Sequence, residues 1–178
     1  MNIKRYNVQE VTSRIHDRYE LFLTFRRMLD EMGLDEWIVT SDKAAARLGA
    51  CWHMRKRISL SEMYIRVAFE QNNVIELVRT FLHEVAHAFA GFNAHHGAQW
   101  RRNCAMLGLD IISTRHRWGN IDSSPRAAAA KWKVVHRETG EVFQYFIKKP
   151  RRTDFSGSYA RGRKAETLGK LVLKKVVR

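Results

Sequence analysis

The segment from Val74 to Ala90 constrains this chain more than any other stretch. Ile75, Leu77, Val78, Phe81, Leu82, Val85, Ala86 and Phe89 recur at helical spacing, with Asn72 or Asn73 as the N-cap and Gly91 as the stop. A helix this apolar belongs inside a protein, yet it carries His83, Glu84 and His87. Two imidazoles and a carboxylate among aliphatic side chains are costly unless each finds a partner. Four residues turn a helix through about 400°, so His83 and His87 leave the same face one turn apart. That spacing supplies two corners of a tetrahedral zinc site. Glu84 lies about 100° round the helix, beside such a metal rather than on it. From there it can take a proton from a water whose pKa zinc lowers to about 7.

A third ligand is needed. A metzincin-type extension would place Gly at position 90 and His at position 93; the chain has Ala90 and Asn93, which excludes that class. His95 and His96 follow the helix, and Gly97 permits a tight turn that returns one of them to the metal. Spacing alone does not choose between the two. His16, His53, His116 and His136 fall outside the pattern and read as surface or structural residues.

Around this helix the spacing predicts an α+β architecture. Val11, Ile15, Tyr19, Phe22, Phe25 and Leu29 predict an amphipathic helix from Val8 to about Met32, stopped by Gly33. Three short β-like runs, 37–40, 47–53 and 57–60, predict a small antiparallel sheet. A further helix is expected over 98–107, ahead of Gly108. Past Ser123-Ser124-Pro125, residues 131–136 and 141–147 read as a hairpin turning at Gly140, and 170–177 as a last strand. The organisation expected is a domain over 1–124 and a β-rich module over 125–178.

Charge separates the two parts. The chain of 178 residues carries a formal charge of +14, but residues 1–124 hold 17 Lys and Arg against 14 Asp and Glu, and residues 125–178 hold 15 against 4. Net charge is thus +3 in front and +11 behind, which points to a polyanionic partner for the module, nucleic acid first. Lys148, Lys149, Arg151, Arg152, Arg161, Arg163 and Lys164 are the candidate phosphate contacts. No base-reading motif is visible, so contact with DNA, single-stranded or without sequence preference, is the expectation. Trp132, Phe143, Tyr145 and Phe146 are read first as packing residues and second as stacking platforms. No apolar run reaches the roughly 18–20 residues of a membrane span, and the first residues lack the apolar core of a secretory signal. Cys51 and Cys104 form no Cys-x-x-Cys pair and read as reduced thiols. A cytoplasmic protein is expected, near the nucleoid if bacterial and in the host cytoplasm if viral.

Taken in order, Arg47-Leu48-Gly49-Ala50-Cys51, the strand ending in Ile58-Ser59-Leu60-Ser61, His83-Glu84-Val85-Ala86-His87 and His96-Gly97-Ala98-Gln99-Trp100 resemble the SprT-like metalloproteases. That family includes the Spartan proteases, which cut proteins crosslinked to DNA. The resemblance covers roughly residues 8–120, and His-Gly-x-x-Trp is its most diagnostic element. It implies a zincin-like domain and one zinc ion on His83, His87 and His96, leaving His95 the alternative. It also implies that Glu84 is the catalytic base and that a protein is the substrate. Many members carry a C-terminal zinc ribbon with paired cysteines; here the ribbon-like module has none, so no second zinc is expected. Two other classes remain. One is a DNA-binding adaptor with a structural or inactive zinc site, which an intact Glu84 disfavours. The other is a small-molecule zinc hydrolase, which leaves the basic module without a role.

Overall fold

Asn7 and Asp17 each cap a helix, and between them they divide the single helix predicted over 8–32. In the computed structural model, which describes residues 3–44, 47–109, 127, 130–160 and 162–177, α1 is Val8–Thr12 and α2 is Arg18–Glu31. The Asn7 side chain accepts from the N–H groups of Gln9 and Glu10. Asp17 accepts from Glu20 N–H at 2.8 Å, while the Glu20 carboxylate accepts from His16 N–H at 2.6 Å. This reciprocal capping starts a new helix where the apolar period alone runs straight on. Val8, Ile15, Leu21 and Phe25 are all buried, so the period survives the break while the helix does not.

The first sheet contains β1 (Ile38–Asp42), β2 (Gly49–Trp52) and β3 (Arg57–Ser61) in the order β1-β3-β2. β2 and β3 are antiparallel, joined through a 3-10 turn at His53–Arg55 and the left-handed Lys56. β1 runs parallel to β3. The expected antiparallel sheet is therefore corrected to a mixed one. At the end of β3, Ser61 Oγ donates to the Ala44 carbonyl and Ser61 N–H to the Leu48 carbonyl. The most buried strand, β3, with Ile58 and Leu60 fully buried, occupies the centre. Three short runs in sequence disclose how many strands form, not which one is central. β2 is left at an edge.

Helices α3 (Glu62–Glu70), α4 (Ile75–Ala90) and α5 (Ala98–Leu107) complete this part. α4 is its axis: Leu77, Val78, Phe81, Leu82, Val85 and Ala86 are fully buried. The Phe81 ring stacks on Phe25 of α2 at 4.1 Å and 3°. Truncating either ring to Ala is expected to cost about 3–5 kcal/mol. α4 packs against β2, β3 and α5, and Gly91, at φ 89°, stops it.

The chain divides into two compact units, Met1–His116 and Arg117–Arg178; the boundary expected at 124/125 lies outside the described residues. In the second unit β4 (Trp132–His136), β5 (Val142–Phe146) and β6 (Leu171–Lys175) form an antiparallel sheet, β5-β4-β6. A short helix, α6 (Lys164–Thr167), precedes β6. Val134, Val135, Thr167 and Leu171 are buried. His136 is buried too and is structural: its Nδ1 accepts from the N–H groups of Glu138 and Thr139, and its Nε2–H donates to the Glu166 carbonyl. Arg163 adds a second tie, donating to Glu141 through both terminal nitrogens and to Glu166 through Nε. The sheet is thus closed by side-chain hydrogen bonds and ion pairs.

Candidate metal centre

His83 and His87 leave α4 one turn apart, their ring centroids 5.1 Å from each other. Past Gly91 the chain makes two successive turns, Ala94 N–H to the Gly91 carbonyl and Gly97 N–H to the Ala94 carbonyl. A Cβ at Gly97 would stand 2.9 Å from the Ala94 carbonyl oxygen, so the second turn closes this tightly only with glycine. These turns return His96 to α4. Its Nε2 lies 3.2 Å from His87 Nε2 and 3.2 Å from His83 Nε2. His95, at φ 41°, is exposed and stands outside this cluster.

The donor set fits a zinc ion. All three donor atoms lie within 4.8 Å of one another. Ligands at about 2.0–2.1 Å from a tetrahedral centre stand roughly 3.3 Å apart, close to the 3.2 Å found for His96 against each partner. A ligating imidazole must also be neutral. Burial, and after it the neighbouring His96, His53 and His95, pushes His87 down to about 4. His87 therefore offers a lone pair at neutral pH.

Glu84 is 8% exposed and faces strand β2. Burial raises its carboxyl to about 7, against the opposing pulls of the Cys51 N–H and the Arg47 guanidinium. The contact with β2 requires Gly49: a Cβ there would stand 2.9 Å from Thr80 Cγ2 and 3.1 Å from Glu84 Cγ. Burial, with a smaller contribution from Glu84, raises the Cys51 thiol to about 12, which makes it a poor nucleophile or ligand. A carboxyl titrating near neutrality has the pKa of a general base, and Glu84 follows His83 directly on α4.

Sequence reasoning missed the lining of this site. Nothing in the spacing showed that Gly49 and Cys51 would meet Glu84, although Gly within a strand signals close approach. Trp100 enters the sequence reading only as part of the His-Gly-x-x-Trp motif; that it packs on all three imidazoles is not legible in the spacing. His53, read as structural, holds Trp37 and Phe92 edge-on beside the site.

The basic residues differ in their partners. Lys148, Lys149, Arg151, Arg152, Arg163 and Lys164 are exposed, and Arg161 lies outside the described residues. Lys149 lies over Trp132, Lys164 over Tyr159 and Arg152 over Phe155. Arg163 lies over Phe143 and is engaged by Glu141 and Glu166, so its charge is largely compensated.

Fold and cluster together define a mixed α and β protein with a histidine triad able to hold a metal ion. The chain belongs to the SprT-like family, whose model matches residues 13–116. This agrees with the resemblance drawn from the motifs, and it is consistent with a zinc metallopeptidase. No curated protein matches the chain.

Proposed function

We propose that this chain is a zinc-dependent endopeptidase acting on proteins associated with, or crosslinked to, DNA. The observation that carries the reading is the convergence of His83, His87 and His96 within 4.8 Å, with the buried Glu84 following His83 directly on α4. A single zinc ion on these nitrogens would supply Lewis acidity and a water of lowered pKa. Glu84 removes the proton from the attacking water and delivers it to the leaving amine, a role matched to a carboxyl near pH 7. β2 is an edge strand, and its Cys51 N–H reaches Glu84. An extended peptide laid along that edge passes the carboxylate, which favours a peptide bond as the substrate.

The second unit brings the enzyme to DNA through exposed lysines and arginines, led by Lys148, Lys149, Arg151 and Arg152. Among the described residues no helix is long and apolar enough to cross a membrane, and the net charge of +11 over residues 125–178 favours a phosphate backbone.

The test combines metal analysis with cleavage of a DNA-bound protein, with and without single-stranded DNA. Wild type should carry one zinc and cleave faster with DNA. Glu84→Gln should keep the zinc and lose about 10²–10⁴-fold in rate. Zinc-loaded wild type without cleavage under any DNA condition would favour the adaptor. Cleavage indifferent to DNA and salt would remove the role given to the second unit.

A further inference from the structure

His96 is the weak member of the triad. It is exposed, it stands in a loop, and only the two turns after Gly91 bring it to the helix. His83 and His87, by contrast, are fixed by α4. A metal ion needs all three nitrogens at their distances before it arrives, so something must hold the loop histidine against the helix.

We propose that Trp100 is a positioning residue for the three histidines, acting as the common floor on which their imidazoles rest. Its ring centroid is 4.8 Å from that of His83, 5.5 Å from His87 and 4.5 Å from His96. It meets His83 and His96 edge-to-face, at 64° and 74°, and lies more nearly parallel to His87, at 30°. Three rings resting on one indole lose the freedom to swing away from a shared point. Trp100 is 3% exposed, so it also closes that side of the cluster to water.

The backbone around Trp100 reinforces this hold. Trp100 stands one turn after His96, on the first turn of α5, and its indole N–H reaches the His83 carbonyl at 3.4 Å. Arg101 Nη1 donates to the His96 carbonyl at 3.0 Å, and one turn further Asn103 Nδ2 donates to the Ala86 carbonyl at 3.2 Å. The start of α5 is therefore pinned to α4 beside the triad, and the loop histidine is carried in by the helix that follows it. Groups that orient metal ligands in this way typically contribute about 10–100-fold in metal affinity.

The inference rests on the metal reading of the triad, and the experiment separates the two. Metal-free full chain is titrated with Zn²⁺ against a chelator, and with Co²⁺ by visible absorption, for wild type, Trp100→Phe, Trp100→Leu and Trp100→Met. Unfolding midpoints of the metal-free forms are recorded alongside. Wild type that takes up no metal overturns the site itself. With a binding wild type, the ringless Leu and Met variants should bind Zn²⁺ about 10–100-fold more weakly, with an altered Co²⁺ spectrum, and Phe should recover most of the loss. Wild-type affinity in a folded Leu or Met variant overturns the proposal. A measurement on wild type covers the case where neither folds. Of the indole N–H resonances of the five tryptophans, the one missing in Trp100→Phe should shift on Zn²⁺ addition, and its failure to move overturns the proposal.

Discussion

The backbone N–H of Cys51, on edge strand β2, pulls the carboxyl of Glu84, on helix α4, down against the burial that raises it. The candidate base is thus influenced by the strand it faces. Burial alone would push this carboxyl higher than about 7.

Shortening that side chain tests how closely its reach is set. Glu84→Asp keeps the charge but withdraws the carboxylate by one methylene, away from Cys51 N–H. The expected result is unchanged zinc content with kcat about 10²-fold lower, the loss typical of a misplacement near 1 Å. Single-turnover cleavage beside metal analysis measures both.

Gly49 lets β2 lie close against Glu84. Gly49→Ala drives a methyl group to 2.9 Å from Thr80 Cγ2 and 3.1 Å from both Glu84 Cγ and the Ser59 carbonyl oxygen. Part of that wall is backbone and cannot yield, so the expected cost is about 1–3 kcal/mol. Denaturant unfolding measures it, and activity should fall with it because Glu84 Cγ is among the displaced atoms.

Asp42 makes stability depend on pH. Burial raises its carboxyl, but Ser59 Oγ–H, Ala44 N–H and Arg47 outweigh burial and leave it below the usual 3.8. A carboxyl lowered on folding stabilises the protein above its unfolded value and loses that contribution as pH falls through the folded one. Asp42→Asn should lower the melting temperature at pH 7, and the gap from wild type should close below about pH 4. A gap that does not narrow at all as pH falls below the unfolded value would assign the effect to packing instead.

In the second unit His136 accepts two turn N–H groups and donates to Glu166. His136→Ala leaves these groups without side-chain partners, and because Glu138 and Thr139 are exposed and water can replace part of what is lost, the expected loss is about 1–3 kcal/mol. Hydrogen exchange at Val134, Val135 and Leu171 should accelerate while α4 keeps its protection.

The basic residues should divide by their partners. Lys148→Ala combined with Arg151→Ala should make single-stranded DNA binding less sensitive to salt, the slope of log K against log salt falling by about 0.7 for each phosphate no longer neutralised. Arg163→Ala should instead destabilise the second unit, because Glu141 and Glu166 hold that guanidinium.

Local information was enough for what is local. The 3.6-residue period and Gly91 placed α4, and Gly97 and Gly108 bracketed α5 at the residues observed. The four-residue step put His83 and His87 on one face, since helix geometry alone decides that. The break at Asp17 escaped the period because both helices bury their apolar residues in the same core.

Other features needed the chain to meet itself. Whether β1 ran with or against β3 depended on a crossover whose path no spacing records. Spacing left His95 and His96 open and the motif resemblance pointed to His96; the two turns after Gly91 are what carry it to the cluster. That Glu84 would sit against Gly49 and Cys51, far earlier in the chain, follows only from packing α4 against β2. The sequence by itself determined that a helix carrying two histidines on one face exists, because that is a property of one segment. Only the tertiary structure decided what surrounds that helix, because contacts between distant segments are chosen by close packing of the whole core.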